Sequence, residues 1–243
     1  MAQLALGREP VLDWGQQGVG IRVDRAIVRG GDRYALARER LVGRLRADGV
    51  SDFRVLEAVN AVVRHELVPE ALRTQAYVDR PLFIGEGQTI SAPGVVAIMT
   101  QALALSGGEK VLEVGTGSGY QAAILSRIAG HVISIERHLQ LATRARRALE
   151  RLGIENVSVF IGDGTRGRGS DAPYDAIIVT AGGPEVPPPL LDQLAEGGCL
   201  VGPFGERGAQ RLLRLRRRAR GFEREDLGPC RFVDLVGAHG WSA

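Results

Sequence analysis

Three carboxylates and a run of glycines are the residues whose types and spacing could do chemistry together. Glu113, Glu136 and Asp163 each stand at or just beyond the end of a short apolar run. The first is followed at once by glycine at every second position, in KVLEVGTGSGYQAA (residues 110–123). Glycines at that spacing let backbone pack closely on a bound molecule. Gly117, Gly119 and Ala122 satisfy the G-x-G-x-x-G/A pattern of dinucleotide sites, and Glu136 follows Gly117 by 19 residues, near the place of their ribose-binding acid. Glu113 argues the other way. A carboxylate two residues ahead of Gly115 would repel a pyrophosphate where a helix start would otherwise attract it. A cationic ligand is the better match: S-adenosylmethionine carries a sulfonium and an ammonium, no phosphate, and a ribose diol and an adenine that donate hydrogen bonds.

On that reading Gly115, Gly117 and Gly119 admit the methionyl part and Glu113 favours its ammonium. Glu136 accepts both ribose hydroxyls, since a carboxylate takes two donors at once. Asp163, in IGDG, accepts from the adenine amino group, and Gly164 turns the chain past the ring. Each residue also has a purely structural role open to it: strand-end acids cap helices and glycines make turns. All of them together, in this order, favour the cofactor site.

The elements that must position these groups are legible in the hydrophobic pattern. VLEV (111–114), VISIE (132–136), VSVFIGD (157–163), AIIVT (176–180) and GCLVG (198–202) are short, nearly continuous apolar runs, as expected of strands buried on both faces. YQAAILSRIA and HLQLATRARRALERLG lie between the first three with helical spacing. The pattern predicts an α/β fold, a Rossmann-like, doubly wound, mostly parallel sheet with right-handed crossovers. In such sheets ligands bind beyond the carboxyl ends of the strands, where the three acids stand. QRLLRLRRR and RFVDLVG, separated by the turn-like ARGFEREDLGP, are expected to form an antiparallel edge pair. Ahead of the sheet, ALARERLVGRLRADG and SDFRVLEAVNAVV predict two N-terminal helices, the second capped by Ser51. APGVVAIMTQALAL predicts a third, with Pro93 in its first turn. Residues 1–35 carry no helical or strand periodicity and are expected to form an extension to a single domain over 36–243.

Composition bounds the partners. With 31 basic and 28 acidic residues the net charge is +3, which does not imply a nucleic-acid partner. Seven arginines fall between positions 211 and 224, but no aromatics interleave for base stacking, and charge commonly protects a sheet edge. A non-catalytic nucleic-acid-binding protein using that run, and a nicotinamide-dependent oxidoreductase, stay as alternatives. Cys199 and Cys230 and the four histidines show no metal-ligand spacing, and two cysteines are too few for a disulfide framework, which fits a cytoplasmic protein. No apolar run approaches the roughly 20 residues that span a bilayer, so no membrane partner is expected. The AGGPEVPPP segment after the fourth strand departs from the Asn/Asp-Pro-Pro-aromatic signature of enzymes that methylate exocyclic amines of nucleic acid.

RPLFIGEGQTISAP (80–93), VLEVGTGSGYQAA, SIER (134–137), GDG (162–164), YDAIIVTAGGPEVPPPLLDQLAEGG (174–198) and RFVDLVGAHGW together resemble the protein-L-isoaspartate O-methyltransferase family, over about 35–241. GQTIS is the specific part, since the glycine motif is shared by many methyltransferases. The resemblance implies S-adenosylmethionine-dependent methylation of the abnormal α-carboxyl group of isoaspartyl residues in damaged peptides and proteins, with S-adenosylhomocysteine as product and without metal. It further implies Ser91 as the active-site serine, Thr89 and Ile90 beside it in the acceptor cleft, Val179 and Thr180 in the cleft floor, and Gln210 as a cofactor contact. Gly94 departs from the family pattern, in which a bulkier residue such as Tyr or His follows the proline. The chemistry needs no general base, because a carboxylate with a pKa of about 4 is ionised at neutral pH. Ser91 need only orient it, and the same residue is also placed to cap a helix opening at Ala92.

Overall fold

The computed structural model describes residues 33–242. Residues 1–32, most of the expected extension, lie outside the described part, as does residue 243. From Tyr34 onward the chain clusters as one compact unit.

Helix α1 (Ala35–Ala47) buries Leu41 and Leu45, one turn apart on a single face. Helix α2 (Phe53–Ala61) buries Val55, Leu56, Ala58 and Val59. Its N-cap is Asp52, whose carboxylate accepts from the Arg54 N–H at 2.9 Å, so the cap falls one residue later than Ser51. Ser51 instead donates its backbone N–H to the Gln101 side chain. The turn-rich stretch that follows folds as two short 3-10 turns and a hairpin, β1 (Leu82–Gly85) with β2 (Gln88–Ile90), which leads into α3 (Pro93–Leu103).

The alternating part then forms a seven-stranded sheet. Its elements are β3 (Lys110–Val114), α4 (Tyr120–Ser126), β4 (His131–Glu136), α5 (Leu139–Arg151), β5 (Val157–Ile161), β6 (Tyr174–Val179), α6 (Pro188–Gln193), β7 (Leu194–Phe204), β8 (Gln210–Arg217) and β9 (Phe222–Cys230). Strand order is β5-β4-β3-β6-β7-β8-β9, with β3 to β7 parallel and β8 and β9 antiparallel. The chain therefore reverses its winding between β3 and β6, and the crevice opens beyond their carboxyl ends.

Successive residues of these strands point to opposite faces, and both faces are covered. Val111, Val132, Ala176 and Ile178 pack with Met99 and Leu103 of α3 and Leu125 of α4. Leu112, Val114, Ile133 and Ile177 pack with Leu190 of α6 and Leu213 of β8. This two-sided burial is why the strands read as continuous apolar runs. The antiparallel edge forms, but with a different partner from the one expected. FEREDLGPC supplies β9, while RFVDLVG leaves the sheet and crosses the strand ends, touching it through an isolated bridge between Asp234 and Gly182. The expectation failed because β9 sits on an exposed edge, where charged residues replace the apolar alternation that marks a buried strand.

Candidate active site

The end of β2, the glycine turn after β3, the end of β4 and the loop after β6 close around one cavity. The ladder continues past the strand ends to shape it: Gly115 N–H donates to Ile135 at 2.8 Å and Thr180 N–H to Val114 at 2.9 Å. Gly115 has φ +99°, and a Cβ there would collide with the Thr180 hydroxyl, which donates to the Gly115 and Val114 carbonyls. Glycine at 115 is thus dictated by conformation and by Thr180. Glu136 faces the cavity and accepts from Gly117 N–H at 2.8 Å and His138 N–H at 2.9 Å, locking the glycine turn to the strand end.

Glu113 lies one layer back. It is fully buried, accepts from the Ser134 hydroxyl in the adjacent register position, and leaves Oε1 without a partner among the described residues. Burial pushes its carboxyl up to about 8; the Ser134 hydrogen bond opposes the rise, the neighbouring Glu136 charge adds to it, and the Ala122 N–H at the start of α4 opposes it. An unpartnered buried carboxylate oxygen behind a wall carrying a second carboxylate suits a cation with hydroxyl donors and opposes a phosphate. The residues present therefore fit S-adenosylmethionine.

The other expected residues divide. Ser91, Thr89, Ile90, Gly117, Gly164 and Thr180 line the same cavity as Glu136 and Gly115. The N-cap of α3 is Ala92 and carries no side-chain cap, so Ser91 does not cap that helix. Gly164 packs so closely on Val114 that a Cβ would lie 2.5 Å from its Cγ1. Gly119, Asp163, Val179 and Gln210 are not on the wall. Gly119 is the N-cap of α4, at φ +86°, against Ala145 and Leu149 of α5. Val179 is buried in the core.

Asp163 accepts from the Thr165 N–H and hydroxyl and from Ala238 N–H, tying the closing segment to the turn at Gly164. Burial works against its charge, but the donors from Ala238 and Thr165 and the nearby Arg166 outweigh that and hold the carboxyl below its ordinary range. Gln210, also buried, clamps Phe232: its Oε1 accepts from Phe232 N–H at 2.7 Å and its amide donates to Phe232 O at 3.4 Å. A Cβ on Gly182 would strike this amide.

That clamp holds a wall that sequence reasoning missed. Phe232, Val233, Asp234 and Leu235 line the cavity, as do His138 and Tyr120. The segment is readable as apolar but not as a wall, because only the long-range bonds of Gln210, Asp163 and Gly182 bring it there. His138 stands 3.9 Å from Glu86, in the turn of the β1–β2 hairpin. Remote from the cavity, three of the seven arginines of the run pair with acids, Arg211 with Asp226, Arg214 with Glu225 and Arg218 with Glu223, while Arg217 donates to carbonyls at the end of α6. Among the described residues no cluster of His, Cys, Asp or Glu is placed to hold a metal ion, and no helix is long and apolar enough to cross a membrane.

Comparison with known proteins points to one family. The family model described as Protein-L-isoaspartate(D-aspartate) O-methyltransferase matches residues 36–240. Protein-L-isoaspartate O-methyltransferase 1 of Syntrophobacter fumaroxidans is 55% identical over 209 residues, which are 86% of this chain and 98% of that protein. A solved protein-L-isoaspartate O-methyltransferase superposes with a TM-score of 0.76 at 33% identity, covering 84% of this chain and 67% of that one. A Plasmodium falciparum structure assigned to the same enzyme class, in complex with S-adenosyl-L-homocysteine, gives a TM-score of 0.72 at 27% identity, with 82% and 98% covered.

Proposed function

The chain belongs to the protein-L-isoaspartate(D-aspartate) O-methyltransferase family, and on that premise we propose how its own residues carry the reaction. The activity is S-adenosylmethionine-dependent methylation of the carboxylate of L-isoaspartyl residues in damaged proteins, a repair reaction. When bound, S-adenosylmethionine supplies a methyl group made electrophilic by its sulfonium, and S-adenosylhomocysteine leaves as product. Glu136 and the turn at Gly117 would hold the ribose side, Gly164 the adenine side with Asp163 fixing its turn from behind, and Gly115 the methionyl side. Gly119 sets the start of α4 behind them. Glu113, buried one layer behind the turn, would favour the ammonium; a cation nearby would favour its ionised form, which burial opposes.

The acceptor carboxylate enters already ionised, so the protein orients it rather than removing a proton. Ser91 donates to it, Thr89, Ile90 and Thr180 shape its seat, Val179 supports that seat from behind, and Gln210 holds the Phe232 wall. Alignment in a site walled on one side by Phe232–Leu235 would supply the acceleration. The observation that carries this reading is the meeting of the GQTIS end with Glu136 and the glycine turn after β3 in one cavity. Residues 36–243 act as one catalytic domain with isoaspartyl peptides and proteins as partners. Nucleic acid and membrane are not partners, no metal takes part, and the protein works in the cytoplasm. The arginines paired with acids support the reading on nucleic acid, and the two free thiols the one on compartment.

Methyl transfer to a synthetic isoaspartyl peptide, run beside the same peptide with normal aspartate, tests the proposal. Labelling of the isoaspartyl form alone is expected; equal labelling of both would remove the repair assignment.

A further inference from the structure

Gly94, the residue that departs from the family pattern, has a physical reason to be glycine. Pro93 opens α3 and has no N–H, so Gly94 carries the first free N–H of the helix proper. That N–H donates to Asp79 Oδ1 at 2.7 Å. A Cβ at position 94 would lie 2.6 Å from Asp79 Oδ2 and 3.1 Å from Oδ1. The carboxylate therefore occupies the space that a side chain at 94 would claim. Carboxylates are favoured at a helix N-terminus, where unpaired N–H groups and the dipole attract negative charge.

The segment that presents Asp79 is itself fastened from below. Arg64, fully buried, donates from Nε to Ala76 O at 2.8 Å and lies 4.6 Å from the ring of Tyr120, which lines the cavity. Its Nη groups have no hydrogen-bond partner among the described residues, and Asp79 is one of the charges that favour its ionised form. Ser91, three residues ahead of Gly94, faces the cavity at the other end of the same short turn.

We propose that Asp79 is a positioning residue for the acceptor-binding turn: seated in the space left by Gly94, it holds the first turn of α3 and through it the placement of Ser91. The inference rests on the acceptor role given to Ser91 above. It predicts that this pair acts on the isoaspartyl substrate and not on the cofactor. Asp79→Ala raises KM for an isoaspartyl peptide about fivefold, the scale of a lost helix cap, and leaves affinity for S-adenosylhomocysteine within twofold. Asp79→Asn, which keeps an acceptor oxygen, recovers most of the loss.

The decisive measurement is a double-mutant cycle on kcat/KM. Gly94→Ala lowers kcat/KM at least fivefold in the wild-type background, by displacing the carboxylate, and less than twofold in the Asp79→Ala background, where there is nothing to displace. Additive effects would overturn the proposal, as would an Asp79→Ala variant that loses cofactor affinity in parallel. Should Asp79→Ala fail to fold, the cycle is run with Asp79→Ser, whose shorter side chain vacates the same space. A wild-type enzyme inactive on isoaspartyl peptide would instead refute the parent reading, so the two failures are distinguishable.

Discussion

At the carboxyl ends of β3 and β4, Glu113 is fully buried with one oxygen unpartnered and its carboxyl pushed up to about 8, while on the β8–β9 edge Glu223 and Asp226 sit in solvent facing arginines that hold theirs down. The same functional group is under opposite influences in the two regions. On the edge, pairing satisfies each acid at little cost and with little gain, because water screens both partners. At the strand ends, desolvation withholds that satisfaction, and a ligand of opposite charge can supply it. Near the cavity some buried polar groups are held by specific partners, as Gln210 is by Phe232, and others, such as Glu113 Oε1 and the Tyr120 hydroxyl, have none among the described residues, whereas the edge pairs are replaceable.

Changes at the cavity should be costly and changes on the edge silent. Glu136→Ala removes a charged acceptor and unlocks Gly117, so affinity for S-adenosylhomocysteine should fall about 100-fold by calorimetry, the equivalent of about 3 kcal/mol for hydrogen bonds to a charged group. An unchanged affinity would place the ribose elsewhere. Gln210→Ala strands the half-buried backbone N–H and carbonyl of Phe232 and should cost about 1–3 kcal/mol, seen as a melting temperature lower by about 5 °C; a loss within 1 °C or so would show the clamp to be dispensable.

Glu113 gives the comparison a pH axis. Its folded pKa of about 8 exceeds the ordinary 4.5, so the folded state binds the proton more tightly than the unfolded one. The resulting stability is fully present below the ordinary value and is lost as pH rises through the folded one. The ligand-free protein should melt lower at pH 8.5 than at pH 5 by a few degrees more than Glu113→Gln does. Parallel melting curves for the two proteins would refute the buried, proton-holding Glu113.

Ser91→Ala should lower kcat/KM for isoaspartyl peptide about tenfold, in line with loss of one hydrogen bond to a charged group, while cofactor affinity holds. Equal loss of both would make Ser91 a structural residue. On the edge, Arg218→Ala and Glu223→Ala should each move the melting temperature by no more than about 2 °C, with kcat unchanged. A large shift there would erase the contrast between the two regions.

Much of this was legible before any coordinates. The strands β3 to β7 announced themselves because burial on both faces demands continuous apolar runs, and Glu113, Glu136 and Gly117 stood at their ends in a readable order. The β1–β2 hairpin and β9 were missed. Gly85, Glu86 and Gly87 make a turn at positive φ that resembles any loop in sequence, and β9 carries charge where buried strands carry apolar side chains. Asp52 rather than Ser51 caps α2 because the choice between adjacent capping residues depends on where the chain enters the helix.

Local periodicity, turn chemistry and the spacing of acids and glycines were enough for the sequence by itself to determine the layered fold and to set acids and glycines at the strand ends, while the part given to Ser91 came from the family resemblance. Only the tertiary structure decided which groups face the cavity: it set Glu113 one layer behind Gly115, turned Asp163 and Gln210 toward the closing segment, and brought Phe232–Leu235 in as a wall. The reason is range. A side chain's secondary structure depends on neighbours within a few positions, whereas its partner across the fold, such as Asp163 with Ala238 or Asp79 with Gly94, is chosen by packing that no local pattern encodes.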